Sequence, residues 1–510
     1  MDSISVAPAA AVLLAGMALA YRKLSRASSF LPPGPSGLPV VGNWFDVPSD
    51  TPWLEYERWA REYGWDIAHI NVLGKQIIIV NTAQAATDLF EKKGGLYSDR
   101  PHMPMINDLI GLKWHLGFMP RGEDWRAHRQ LVGYEHNASK TVRARPIVAK
   151  WTSRFLVDTL KNPEGVFDHL QRMASGIALE DTYAIEVQES GIPDPFISAV
   201  KSAIQGIGTA GIFGTYMVDY IPALKYVPSC MAKFKRDAKE WKKSVDIAWS
   251  VPFDMVKKSV AEGSASPSVL TSLLEKRGTG AESDELVIRQ SCATMFAQGS
   301  AATVSAMGTF ILAMVQNPHV QAKAQAEIDA LLHGARLPHF NDFDSLPYLN
   351  AIVKECLRWN PVVPLAFPHR LEEDDIYNDY HLPAGAIVLP NTWAVLHDPV
   401  MYPDPHTFNP ERFLTENGQV NPAVRSPDAA FGYARRTCPG KNLAMSSLTF
   451  AMASTLATFN ITKAVDAEGN PINPSGEYTN GLLRYPKPFP CRISPRSEVA
   501  SALVQSDVDV

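Results

Sequence analysis

The stretch Phe431-Gly432-Tyr433-Ala434-Arg435-Arg436-Thr437-Cys438-Pro439-Gly440 constrains this chain more than any other. It sets one cysteine in a tight loop of small residues, with an arginine two positions before it and a glycine two after. A helix-like run, Lys441 to about Leu456, follows at once. A thiolate stays deprotonated only near partial positive charge, which loop N–H groups and a helix start supply. Gly440 lets a flat ligand come close, and Arg436 can pair with a carboxylate. A lone cysteine is more often a small buried residue without chemistry; the flanking pattern argues otherwise.

This combination suits a soft anionic ligand to a haem iron, with Arg436 on a haem propionate. Phe-Gly-x-x-x-Arg-x-Cys-Pro-Gly resembles the haem-binding loop of the cytochrome P-450 family, the haem-thiolate monooxygenases. The resemblance implies haem b with Cys438 as axial ligand, and a site to which Phe431, Arg436 and Gly440 contribute. It also implies a mainly α fold with small β-sheets, the haem lying between a long central helix and the helix after the cysteine loop. The family usually carries glycine where this chain has Ala434, a departure that tightens the loop.

A length of 510 residues suggests two or three domains, whereas the resemblance implies one catalytic domain over 44–496. The chain is 46% hydrophobic and 20% charged, with a net charge of −5. That balance gives no sign of nucleic-acid binding. Five scattered cysteines argue against a disulfide framework or a zinc site.

Ile4 to Tyr21 is uncharged and mostly apolar, near the lower limit of roughly 17 residues for a spanning helix. Arg22, Lys23 and Arg26 follow it. A cleaved signal carries its positive charge before the apolar core. The expectation is a single-pass anchor over 1–21, with the rest of the chain on the cytosolic side, as in the endoplasmic reticulum. The sequons at Asn137 and Asn460 then carry no meaning. Residues 22–43, basic and then proline-rich, form a stiff hinge like that of microsomal family members.

The run Gln76-Ile77-Ile78-Ile79-Val80 marks a hairpin within Asp66–Asn81. Ser98 to Met119 reads as a loop, and the resemblance makes it the roof of a substrate pocket. A helix opens near Gly122, with Asp124 a candidate cap. Trp125 and Arg129 are four apart and share a face. Alone that pair is weak; the resemblance makes it a propionate-binding pair. Phe196 to Val227 is apolar and glycine-rich, consistent with two helices forming a lid that also touches the membrane, or with ordinary core helices.

Asp284 to Gln316 reads as one long helix ended by Asn317-Pro318. In the family this helix crosses the haem face and carries an acid and an alcohol that relay protons. Here the aligned residues are Gln298-Gly299-Ser300-Ala301-Ala302-Thr303. Glycine is present, but the acid and alcohol positions are Ala301 and Ala302. Thr303 lies one residue on, rotated by about 100°. Gly299, Ser300 and Thr303 are the catalytic candidates, with Gln298 or a water as further carriers.

Glu355 and Arg358 share a helix face within Ser345–Asn360, and Arg412 follows in Pro410-Glu411-Arg412-Phe413. The resemblance makes these three a structural lock under the cysteine loop. It places His369 or Arg370 on a propionate. Leu482 and Leu483 belong to a terminal hairpin near substrate. The tail 497–510 reads as disordered.

The implied activity is insertion of one atom of O2 into an apolar secondary metabolite: a terpenoid, polyketide or alkaloid intermediate. The flanking wording is most similar to microsomal fungal members. Electrons would come from NADPH through a separate cytochrome P-450 reductase, because no flavin or nicotinamide motif is present. A monomer is expected. Ala301-Ala302 also leaves open a haem-thiolate enzyme of rearrangement, coupling, dehydration or peroxide chemistry, and a haem protein without turnover.

Overall fold

A computed structural model describes residues 30–277 and 282–506. The expected anchor over 1–21 lies outside them.

Helix α1 (Pro52–Tyr63) leads into strands β1 (Ile67–Val72) and β2 (Lys75–Val80). Leu73 and Gly74 between them both have positive φ, 49° and 84°. That is the pattern of a two-residue type I′ turn, whose twist matches an antiparallel hairpin. Ile67 accordingly pairs with Val80. The helices α2 (Glu123–Glu135), α3 (Ala138–Lys161), α4 (Val166–Tyr183), α5 (Pro195–Ala210), α6 (Met217–Tyr220) and α7 (Lys233–Ala261) follow. Gly122 is the N-cap residue of α2 and no side chain caps that end, so Asp124 sits inside the first turn instead of capping it. α5 and α6 are the two helices expected in the apolar Phe196–Val227 segment.

After α8 (Val269–Arg277) comes α9 (Glu282–Gln316), the longest helix. It ends at Asn317, where Pro318 opens α10 (Pro318–Leu332) and cannot donate to the preceding turn. Among the described residues only Asp284–Gln316 is long and apolar enough to cross a membrane, yet 72% of its apolar window is buried in protein. It is a core helix, apolar all round because it is covered all round. α4 packs along it most extensively. Gly299 permits that approach: a Cβ there would lie 3.0 Å from the Ala178 methyl.

α11 (Pro347–Trp359) precedes β3 (His369–Arg370), the hairpin β4 (Asp375–Tyr377) and β5 (Tyr380–Leu382), and β6 (Ile387–Pro390). β6 completes the main sheet in the order β1-β2-β6-β3, parallel to β2 and antiparallel to β3. A long coil then reaches the cysteine loop and α12 (Lys441–Thr458). β7 (Phe459–Lys463) pairs with β8 (Cys491–Pro495). Residues Glu498–Ser506 form a further helix, α13, with Ala500 and Val504 buried. Over 498–506 this departs from the expected disordered tail, two buried apolar side chains docking the helix, while 507–510 lie outside the described residues.

One large apolar core runs from α1 to α13, with α9 through its centre. Glu355 on α11 is fully buried between two arginines. Arg358 Nε donates to it at 2.7 Å, Arg412 Nε at 3.2 Å, and the Asn409 N–H at 2.8 Å. The guanidiniums also donate to the Leu396 and Pro403 carbonyls. Every charge in this cluster has a partner, the condition under which buried ions are tolerated. The coil at 396–412 is thereby fastened to α11.

Candidate haem site

Cys438 stands at the mouth of α12, its own N–H donating to the Phe431 carbonyl at 2.7 Å. That bond closes the loop on itself. Gly432 (φ 85°) and Ala434 (φ 43°) make its left-handed turns. Cys438 is exposed, although burial by the surrounding protein raises its thiol, as expected of a residue that opens on a hollow within the protein. Burial pushes the thiol up; the Gly440 N–H, Arg129 and Lys441 pull it back toward the thiolate. In the middle of α9, Ala297, Gln298, Ala302 and Thr303 are likewise partly exposed within a buried helix.

The other cysteines have different surroundings. Cys292 and Cys356 are buried in the core, and burial raises both thiols. Cys491 belongs to the β7–β8 ladder opposite Lys463, and Cys230 is on the surface. Only Cys438 combines a backbone N–H, that of Gly440, at its thiol with an exposed position beside a helix start.

Beside the loop, cations gather without enough anions. Arg436 stacks on the Trp125 ring at 4.3 Å and donates to the carbonyls of Ser98 (2.7 Å) and Met119 (3.0 Å). Burial, with Arg129 and Arg121 nearby, brings its pKa down to about 9 against the pull of Asp99. Arg129, one turn after Trp125, is also lowered by burial and drawn back by Cys438. The sequence did not single out Arg100. It is buried, holds the carbonyls of Phe367 (2.8 Å) and Pro368 (2.9 Å), and leaves its Nε without a partner. Burial and the charge of Arg436 lower it further. Its only signal was an Asp-Arg-Pro in a stretch read as loop.

His369 is buried against Phe90 and bonded through Nδ1 to the Tyr97 carbonyl. Burial, Arg100 and Arg436 keep it neutral. Arg370 departs from expectation. β3 alternates its side chains, so Arg370 points outward, 45% exposed, with Asp99 at 3.5 Å. The structure thus brings Trp125, Arg129, His369 and Arg436 together, adds Arg100, and sets Arg370 apart.

On α9, Ser300 is buried and its hydroxyl donates to the Phe296 carbonyl at 2.8 Å, so it does not face the hollow. Gly299 is a packing position against α4. Thr303 is partly exposed. His115 and Gln298 approach each other to 3.0 Å across the gap between the 115–119 loop and α9.

A dianionic rim of two carboxylates would satisfy the arginine excess, and a soft metal would satisfy the sulfur; the residues therefore fit haem. Fold and site together define a haem-thiolate protein. The family model described as cytochrome P450 matches residues 32–491. Tryptamine 4-monooxygenase of Psilocybe cyanescens is 42% identical over 478 residues, 92% of this chain and 94% of that protein. The cytochrome P450 monooxygenases ple1 of Rhodocybe pseudopiperita and claR of Ampulloclitocybe clavipes are each 39% identical, over 93% of this chain and 91% and 88% of theirs. The chain belongs to the cytochrome P450 family. It is a monooxygenase, and its cofactor is haem held by a cysteine thiolate.

Proposed function

We propose that Cys438 is the axial ligand and that the enzyme oxygenates a small apolar secondary metabolite, a terpenoid, polyketide or alkaloid intermediate. The observation that carries this reading is the exposed sulfur in an internal hollow beside unbalanced arginines. When bound, the haem supplies dioxygen activation, one atom going to substrate and one to water, with the thiolate donating electron density. The chain's own residues do the rest. Gly440 N–H, Arg129 and Lys441 favour the thiolate against burial, which raises the thiol. Arg100, Arg129 and Arg436 grip the carboxylate rim, and the Trp125 ring orients Arg436. A carboxylate there would also offset the two guanidiniums that, after burial, disfavour a proton on His369. Phe118 and Phe367, 5.0 Å apart, wall the apolar space and exclude water.

Electrons come from NADPH through a separate reductase, and the chain works as a monomer anchored at the endoplasmic reticulum with its catalytic body in the cytosol. Phe45 (77% exposed) and Val40 (88%) lie near the start of the described chain, Tyr226 (78%) and Met231 near α6. The Trp44–Tyr220 ring contact at 5.5 Å joins the two groups on one side. Exposed apolar side chains in these two groups would suit contact with a membrane surface. The expectation that α5–α6 form a lid touching lipid belongs to the same reading.

The test is the reduced-CO spectrum of purified protein with Cys438→Ala and Cys491→Ala variants, plus labelled dioxygen with NADPH and reductase. Loss of the thiolate-type band in Cys438→Ala alone, and label in the product, are expected. A retained band in that variant refutes the ligand; unlabelled product refutes oxygenation.

A further inference from the structure

The middle of α9 is short of polar groups facing the hollow. Thr303 is partly exposed, but Ala301 and Ala302 have none, Ser300 is bonded to the Phe296 carbonyl, and Ser305 to that of Arg484. Gln298 lies one turn before Ala302 and so on the same face. Its amide sits 3.0 Å from Nε2 of His115.

The donor–acceptor balance of that pair decides which way the amide turns. His115 is buried, and its Nδ1 accepts the Gly117 N–H at 3.1 Å. A neutral imidazole that accepts at Nδ1 carries its proton on Nε2. Burial brings its pKa to about 4, so it stays neutral at working pH. Nε2–H needs an acceptor, and the Gln298 amide meets it by presenting its oxygen; oxygen and nitrogen exchange places by a half-turn of the last torsion. The two amide N–H groups then point away from His115, in a residue that is partly exposed inside the protein. The same 115–119 loop is tied on its other side to the cysteine loop, where Arg436 donates to the Leu116 (3.5 Å) and Met119 (3.0 Å) carbonyls. The pair therefore stands where this loop bridges α9 and the cysteine loop.

We infer that Gln298, turned by His115, presents its amide N–H groups to the open side of the haem pocket and is the hydrogen-bond donor that Ala301 and Ala302 cannot be. This rests on the haem-thiolate reading above. The amide does not ionise, so it orients a water or a small polar ligand and delivers no proton of its own. His115 is a positioning residue acting through Gln298.

Carbon monoxide on the reduced protein is the probe, read by its infrared C–O stretch beside the thiolate-type absorption band. A nearby donor lowers that stretch. Gln298→Leu should raise it with the absorption band intact. Gln298→Glu keeps an acceptor for His115 but loses both N–H groups, so it should raise the stretch as well; a merely structural glutamine would be rescued by it. His115→Phe, which frees the amide, should broaden the C–O band or split it. A stretch unmoved in all three, with the thiolate band present, overturns this inference alone. A wild-type protein without the thiolate band overturns the haem reading and this inference with it.

Discussion

Ala434 holds a left-handed backbone, φ 43°, where the family loop usually has glycine. A Cβ in that region costs roughly 1–2 kcal/mol, partly offset by the greater chain entropy that glycine loses on folding. Ala434→Gly is expected to stabilise the protein by up to about 1 kcal/mol, seen as a higher Tm; a lower Tm would mean that the methyl's packing near Gly94 outweighs the strain. The Ala301-Ala302 departure divides in two. Ala301 is buried, so an aspartate there would meet protein rather than the hollow. Ala302 is partly exposed. Ala302→Thr should change the ratio of product formed to NADPH consumed while leaving the fold intact, and an unchanged ratio would show that the alcohol position is immaterial here.

Two ties join the α6 region to the 98–119 loop. The Met105 N–H donates to Asp219 on α6 at 3.1 Å, and Lys225 donates to Asp108 at 2.9 Å. Asp219 is buried, and burial raises its pKa from 3.8 to about 7 against the N–H groups of Met105 and Gly214. The raised value favours the neutral acid in the fold. Its contribution is fully present below pH ~4 and is lost as pH rises through about 7. Asp219→Asn keeps an acceptor for Met105 without ionising, so its Tm relative to wild type should climb between pH 4 and 8. A Tm difference that stays flat with pH would contradict the assignment. The Glu355–Arg358–Arg412 cluster acts at the same scale, joining α11 to a coil remote in sequence.

For the molecule as a whole, the proposed membrane contact has two parts, an anchor over 1–21 and the exposed apolar side chains Val40, Phe45, Tyr226 and Met231. Removing residues 1–29 should loosen the protein from vesicles without abolishing association, as read by flotation at high and low salt. Full retention of the truncated chain would show that the anchor is dispensable; complete release would show that these side chains have no hold on lipid.

Local chemistry made the helices, the first hairpin, the cysteine loop and the order of its companions legible, because apolar periodicity, turn glycines and a cysteine among small residues are properties of neighbouring positions. The family followed from that loop and the sequence of signatures around it. The tertiary structure alone decided direction and company. It turned Ser300 into packing and Arg370 to solvent, drew Arg100 into the arginine cluster, docked the tail as a helix, and set His115 against Gln298 across 183 positions. Which way a side chain faces, and what charge stands opposite it, depends on elements far apart in the chain, and only the packed core brings those together.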